Sequence, residues 1–191
     1  MNQTVWDGHD PSHITRMINL AYAGDAKAKE ELLPMVYQEL KAIAAKQRGQ
    51  HAAPPEMLNT TAIVNEAWLR LRNHDQSYEN RNHFLAVAAT AMRQLLIDEA
   101  RRHLRQKRGS GEAVHVTIGD KLSIEDQAAW LVSLDHALTG LGNYKPRLRD
   151  VFQLRFFVGL TDHETAEVLS ISESTVRRDW TKAKAMLAVA L

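Results

Sequence analysis

Apolar and polar positions along this chain repeat with the 3.6-residue period of helices, and the few alternating runs are short. The pattern predicts an all-α protein. Ile14, Met17, Ile18 and Tyr22 form the first apolar stripe, with Ser12 placed to cap that helix and Gly24 to end it. Asp25 is placed to cap a second helix carrying Leu32, Leu33, Val36, Leu40 and Ile43 towards Arg48-Gly49, which Pro34 either kinks or divides. After a Pro-bearing connector at 51–59, Ile63, Ala67 and Leu71 mark a third stripe, widened by Val64, Trp68 and Leu69. A fourth helix begins at Phe84, and Phe84, Val87, Ala88, Ala91, Leu95 and Asp98 fall at helical spacing. Its first half reads as a core face and its second half as a basic rod ending in solvent.

Residues 109–127 carry glycines, mixed charge and little helical period, the signature of a linker. Beyond them the period predicts a helix from about Ala128 to Leu141, a break at Gly142–Pro146, and three more helices. The expected organisation is a tail at 1–11, a helical domain at 12–108, a flexible linker at 109–127 and a second helical domain at 128–191. No internal repeat is present.

The segment LTDHETAEVLSISESTVRRDWTKAKAML reads as a helix-turn-helix. Thr161 and Glu164 have capping-box spacing, and Ala166 is small enough for a crossing helix to approach closely. Ser170-Ile171-Ser172 supplies the turn, with Ile171 buried and Ser172 capping the second helix. In that helix Val176 and Trp180 face inward. Ser174, Thr175, Arg177, Arg178 and Lys182 are left outside, where an N-terminal Arg can hold guanine O6 and N7 and a Lys can meet phosphate, as can Lys184.

The formal net charge of +1 conceals two basic clusters. Between Arg93 and Arg108, six bases (Arg93, Arg101, Arg102, Arg105, Lys107, Arg108) face only Asp98 and Glu99. From Ile171 onward, Arg177, Arg178, Lys182 and Lys184 face Glu173 and Asp179. Clustered bases in a near-neutral chain are the footprint of a nucleic-acid binder. The absence of cysteine excludes disulfides, thiolate zinc sites and cysteine nucleophiles, and fits a reducing compartment. No run of apolar residues is long enough to span a membrane, and the N-terminus lacks the pattern of a secretory signal, so the chain reads as soluble and cytoplasmic.

Enzyme chemistry finds little support. Asp98 and Glu99 are adjacent and point in different directions on a helix, His163-Glu164 lacks the second histidine of a zinc-protease pattern, and no glycine loop is built to cradle phosphate. His9 and His13 have i, i+4 spacing for a metal but sit beside a chain end that frays. No cofactor is implied.

Four motifs in order, TAIVNEAWLRL, RNHFLAVAATAMRQLLIDEARR, KRG and LRFFVGLTDHETAEVLSISESTVRRDW, resemble those of bacterial RNA polymerase sigma factors of the extracytoplasmic-function (ECF) type, in a subgroup associated with Ser/Thr kinases. The resemblance covers nearly the whole chain. It implies that residues 12–108 correspond to sigma domain 2, which docks on polymerase and opens the promoter's minus-ten element, and 128–191 to sigma domain 4, which reads the minus-thirty-five element. Asn80-Arg81-Asn82-His83 resembles the family's loop that receives a flipped base. Arg93, Arg101, Arg102 and Arg105 would track the DNA backbone beyond it. The implied partners are the core polymerase, through a coiled coil of its β′ subunit, and promoter DNA, with the free protein a monomer. A free-standing helix-turn-helix regulator that binds duplex DNA without polymerase is the nearest alternative, and it leaves the basic helix after FLAVAATAMRQ unexplained.

One departure from the family pattern is informative. In most ECF sigma factors the segment before the Leu/Ile-Val-x-Glu pattern is acidic and docks on the polymerase coiled coil. Here Ile63-Val64-Asn65-Glu66 matches, but Asn59-Thr60-Thr61-Ala62 carries no charge, leaving Glu66 and the upstream Glu56. A phosphothreonine supplies about −1.5 to −2 of charge and is stabilised at a helix N-terminus. Thr61, where the resembled subgroup has its threonine, is therefore the first candidate for phosphorylation by a Ser/Thr kinase, and Thr60 the second. The competing role for either hydroxyl is a helix cap.

Overall fold

The computed structural model describes residues 10–50, 59–72, 78–110 and 124–191, and among them eight α-helices and no strand. The tail as far as His9, the connector residues 51–58 with Glu56, residues 73–77 and residues 111–123 of the linker lie outside the described residues.

Helix α1 spans Pro11–Tyr22, and its cap is Asp10 rather than Ser12: the Asp10 carboxylate accepts from the Ser12 N–H at 3.2 Å, and Pro11 takes the first helical position, where its missing N–H costs nothing. Gly24 follows the helix at φ 101°. Helix α2 (Ala26–Gln50) is capped by Asp25, whose carboxylate accepts from Ala28 N–H at 2.7 Å, and it runs through Pro34 without dividing. Pro34 is exposed, so the carbonyl it strands one turn earlier can turn to water.

Helices α3 (Thr60–Arg72) and α4 (Arg81–Ser110) close the N-terminal half. Ile14, Ile18, Val36, Leu40, Ile63, Val64, Phe84, Ala88 and Met92 are all within 1% of complete burial and form its centre. Tyr22 and Tyr78 meet edge to face at 4.6 Å, and the Tyr22 hydroxyl donates to the Leu71 carbonyl at 3.1 Å. Burial, reinforced by Tyr78, pushes the Tyr22 phenol far above its ordinary pKa, so it stays a neutral donor.

The C-terminal half comprises α5 (Ile124–Tyr144), α6 (Pro146–Gln153), α7 (Asp162–Leu169) and α8 (Glu173–Ala190). The break expected at Gly142 falls later. Gly142 is buried within α5, and the chain turns at Lys145, whose extended backbone is the conformation that a following proline enforces. From Leu154 to Val158, α6 widens into a π-helical turn that buries Leu154, Phe157 and Val158 together. Gly159 ends it at φ 92°; a side chain there would be strained, and its Cβ would lie 2.6 Å from Lys46 Nζ.

The two halves pack on one another. The apolar core runs continuously from α1–α4 into Leu134, Leu138, Leu141, Leu148, Phe152, Leu154 and Phe157. Helix α4 lies along α5, and its distal part is covered where Ala100 and Leu104 meet Ala128 and Leu131. The expected solvated rod is therefore half-covered: Ile97 and Ala100 are buried, while Asp98, Arg102 and Arg105 remain exposed. Among the described residues no helix is long and apolar enough to cross a membrane.

Candidate functional site

Three surfaces carry the residues singled out by the sequence. The first is the start of α3. Its cap is Asn59, whose carbonyl accepts from Ile63 N–H at 3.0 Å and whose side chain accepts from Ala62 N–H at 2.8 Å. Neither threonine is the cap. Thr60 and Thr61 occupy the first two helical positions, Thr60 half-buried and Thr61 exposed, in a first turn without an acid. Ile63 and Val64 are fully buried and hold the helix in the core, while Thr61, Asn65, Glu66 and Arg70 face out. Leu69, expected to widen the apolar stripe, is instead 50% exposed and shares the Thr61–Asn65 face. It is a surface leucine that periodicity alone misassigned.

The second surface is α4. The four residues 80–83 are not a loop. Asn80 caps α4, accepting from His83 N–H at 2.9 Å through its side chain and from Phe84 N–H at 3.0 Å through its carbonyl, so Arg81, Asn82 and His83 form the first helical turn. Arg81 is buried, and its Nε and Nη2 donate to Glu39 Oε1 at 3.1 and 2.6 Å. Asn82 and His83 are half-buried, and His83 Nδ1 accepts from the Glu79 N–H at 3.3 Å. Further along, Arg93 donates to Asp135 Oδ1 at 2.7 Å and Arg101 to Asp135 Oδ2 at 3.0 Å, tying α4 to α5. Arg93 also lies over the Phe157 ring at 5.8 Å. Burial pulls the Arg93 pKa down, and the Asp135 carboxylate opposes that shift. Arg102 pairs with Glu99 on its own helix, and Arg105 is exposed.

The third surface is the helix-turn-helix. Both halves of the capping box are made: Glu164 N–H donates to Thr161 Oγ1 at 3.2 Å, and Thr161 N–H to Glu164 Oε2 at 2.8 Å. Ser170 turns the chain at φ 51°, Ile171 is half-buried in the small core of Val151, Ala166 and Val176, and Ser172 caps α8 through Thr175 N–H at 3.3 Å. Ser174, Arg177, Arg178 and Thr181 share one exposed face of α8, with Lys182 beside them and Thr175 half-buried. Arg177 lies 3.5 Å from Glu173 and 3.6 Å from Asp162, loosely held and 59% exposed. Trp180 stacks on Phe152 at 5.4 Å and carries Arg155 and Lys184 over its ring, which takes Lys184 away from a purely outward role.

Sequence reading missed Asp179. It is buried on α8 and accepts from Arg147 Nε at 2.6 Å, fastening α8 to α6. An acid that follows two arginines reads as surface charge, and only the crossing of α6 over α8 reveals it as an anchor.

These three surfaces, an exposed helix start without an acid, a basic helix and a helix-turn-helix with exposed arginines, are joined by a further observation: the family model for ECF sigma factors matches residues 11–191. The chain belongs to the ECF sigma factor family. As such it is an alternative sigma factor for transcription initiation, with core RNA polymerase and promoter DNA as its partners. Members of the family act by binding rather than by catalysis. A search of curated proteins finds no significant match. In this sigma factor α8 leaves Arg177 and Arg178 exposed, whereas α4 has two of its bases committed to Asp135.

Proposed function

We propose that this sigma factor is switched on by phosphorylation of Thr61, with Thr60 the second site, through a Ser/Thr kinase. The observation that carries the reading is that the cap of α3 is Asn59, which leaves the Thr61 hydroxyl exposed, without a capping role, in a helix start that has no acid. A phosphate there meets unpaired N–H groups and the positive end of the helix dipole, and it supplies the charge that the β′ coiled coil otherwise finds at Glu66 and the upstream Glu56. Leu69, on the same face, offers an apolar contact beside it. On this reading residues 12–108 act on the minus-ten element and residues 128–191 on the minus-thirty-five element. Ser174, Thr175, Arg177 and Arg178 read base edges and Lys182 meets phosphate. In the minus-ten domain Asn80 and the first turn of α4 receive a base, and Arg93, Arg101, Arg102 and Arg105 follow the strand. The protein acts in the cytoplasm as a monomer until it joins polymerase.

The deciding experiment compares affinity for core polymerase among unmodified protein, protein phosphorylated at Thr61, and the Thr60→Glu and Thr61→Glu variants. The expected result is tight binding by the phosphorylated form and weak binding by the unmodified one, with the glutamates between them because they carry less charge. Equal affinity for all forms would remove the switch and leave an unregulated sigma factor. Duplex promoter binding by the free protein, with no polymerase binding in any form, would favour the free-standing regulator.

A further inference from the structure

We propose that Asp135 is an internal substitute for promoter phosphate, a latch that occupies Arg93 and Arg101 in the free protein and must be displaced before α4 can hold the melted strand. The inference rests on the assignment of those two arginines to DNA, and it adds the regulation of that surface.

Arg93 and Arg101 lie eight residues apart, a little over two turns, on one side of α4, and they converge on the two oxygens of a single carboxylate from α5. Each guanidinium gives one nitrogen to one oxygen of the carboxylate, and arginine N–H groups hold phosphate oxygens by the same charge-assisted hydrogen bonds. The side chains of Arg93 and Asp135 are 10% and 12% exposed and that of Arg101 37%, so the acid covers the inner base and partly screens the outer one.

The local charge is unbalanced, two cations against one anion. Arg93 Nε is buried with no hydrogen-bond partner, and Asp135 leaves it unsatisfied. A third guanidinium, Arg149, itself paired with Asp150, also depresses the Arg93 pKa, behind desolvation. A site with surplus positive charge and an unused donor is better filled by a phosphate, which brings more acceptors than a carboxylate. The seam is also loosely built around this point. Cavities of about 330 and 410 Å³ adjoin it and share Thr90, Arg93 and Gln153, one lined by apolar groups such as Val87, Leu154 and Val168, the other by polar ones such as Gln94, Asn143 and Arg149. Buried ion pairs contribute little to stability against apolar packing, but they specify one arrangement and can be exchanged for another partner.

The test uses full-length unphosphorylated protein, with neither polymerase nor kinase present, and a fluorescein-labelled single-stranded DNA 20-mer. Asp135→Asn should open the seam and bind the oligonucleotide at least about tenfold more tightly at low salt. Its plot of log K against log salt should be steeper by about 1.4, since each newly contacted phosphate of a single strand adds about 0.7. The chain has no cysteine, so Thr90→Cys with Thr139→Cys, two exposed positions on the rim of the larger cavity, can be bridged across the seam by a reducible bifunctional maleimide. The bridged protein should bind DNA more weakly than the same protein after reduction, a measurement that does not depend on how Asp135→Asn folds. A seam that opens in Asp135→Asn, by energy transfer between the two halves, with unchanged affinity and slope overturns both the proposal and the assignment of the arginines. Unchanged affinity with a closed seam, or a bridge without effect, overturns the latch alone. The Thr61 switch stands or falls separately, on polymerase affinity.

Discussion

Arg81 and Arg93 on α4 are each 8% exposed and close on Glu39 and Asp135, whereas the side chains of Arg177 and Arg178 stand 59% and 68% exposed on α8. The same residue type serves opposite purposes in the two places. A guanidinium enters a core only if a carboxylate accompanies it, because the cost of desolvating a lone charge exceeds any packing gain. Helix α4 runs through the middle of the molecule, so its bases are drawn into pairs with α2 and α5. Helix α8 packs on one side only, through Val176, Ala183 and Leu187, and its bases stay hydrated. The comparison teaches that the two helices are unequally ready in the free protein: the bases of α8 are already displayed, and those of α4 are engaged with the protein itself, so on the proposed reading the duplex-reading surface is open and the strand-following one is not.

Five substitutions break or sharpen that contrast. Glu39→Ala strands the buried Arg81 and should cost about 3–5 kcal/mol in urea unfolding; a loss below about 1 kcal/mol would mean that the pair behaves as a surface pair. Asp179→Ala removes the buried acceptor of Arg147, which is itself 38% exposed and can rehydrate, so a smaller loss of about 1–3 kcal/mol is expected, together with weaker duplex binding as α8 loosens on α6. Retained duplex affinity would show that α8 does not need this anchor. Asn59→Ala should cost about 1 kcal/mol as a lost cap. Thr61→Val should change stability by less than about 0.5 kcal/mol, and a reversal of that order would return the threonines to a capping role. The smallest stability effect is expected of Arg178→Ala, within about 0.5 kcal/mol, yet it should relax the base discrimination of promoter duplex binding by the holoenzyme by about 1–3 kcal/mol at the contacted pair. Unaltered discrimination would remove Arg178 from the base contacts.

Much of the fold was legible because its signals are local. The Thr161–Glu164 capping box, the turn at Ser170 and the cap at Ser172 are interactions across two or three residues, and they stand where the sequence placed them. Caps went wrong where two candidates competed: Asp10 prevails over Ser12 because Pro11 favours the first helical position, and Asn59 over the threonines because its side chain reaches the N–H of Ala62. The start of α4 was hidden for a related reason, since Asn80-Arg81-Asn82-His83 is polar enough to read as a connector although its asparagine caps a helix. Least legible were the pairs Arg81–Glu39 and Arg93–Asp135, each 42 residues apart, and Arg147–Asp179. No local period encodes them. They exist because helices cross, and an acid and a base that look like surface charge in sequence become a buried pair at the crossing.

The π-helical turn at Leu154–Val158 gives the chain a register that it would not otherwise have. A π turn amounts to one residue more than an α-helix needs at that point. Removing a single residue there would restore the ordinary winding and swing everything downstream by about 100° about the axis of α6. The helix-turn-helix would remain intact, with its capping box and small core, but Arg177 and Arg178 would be aimed elsewhere relative to α4. The direction in which the helix-turn-helix faces relative to α4 is thus tuned by the count of residues in one turn.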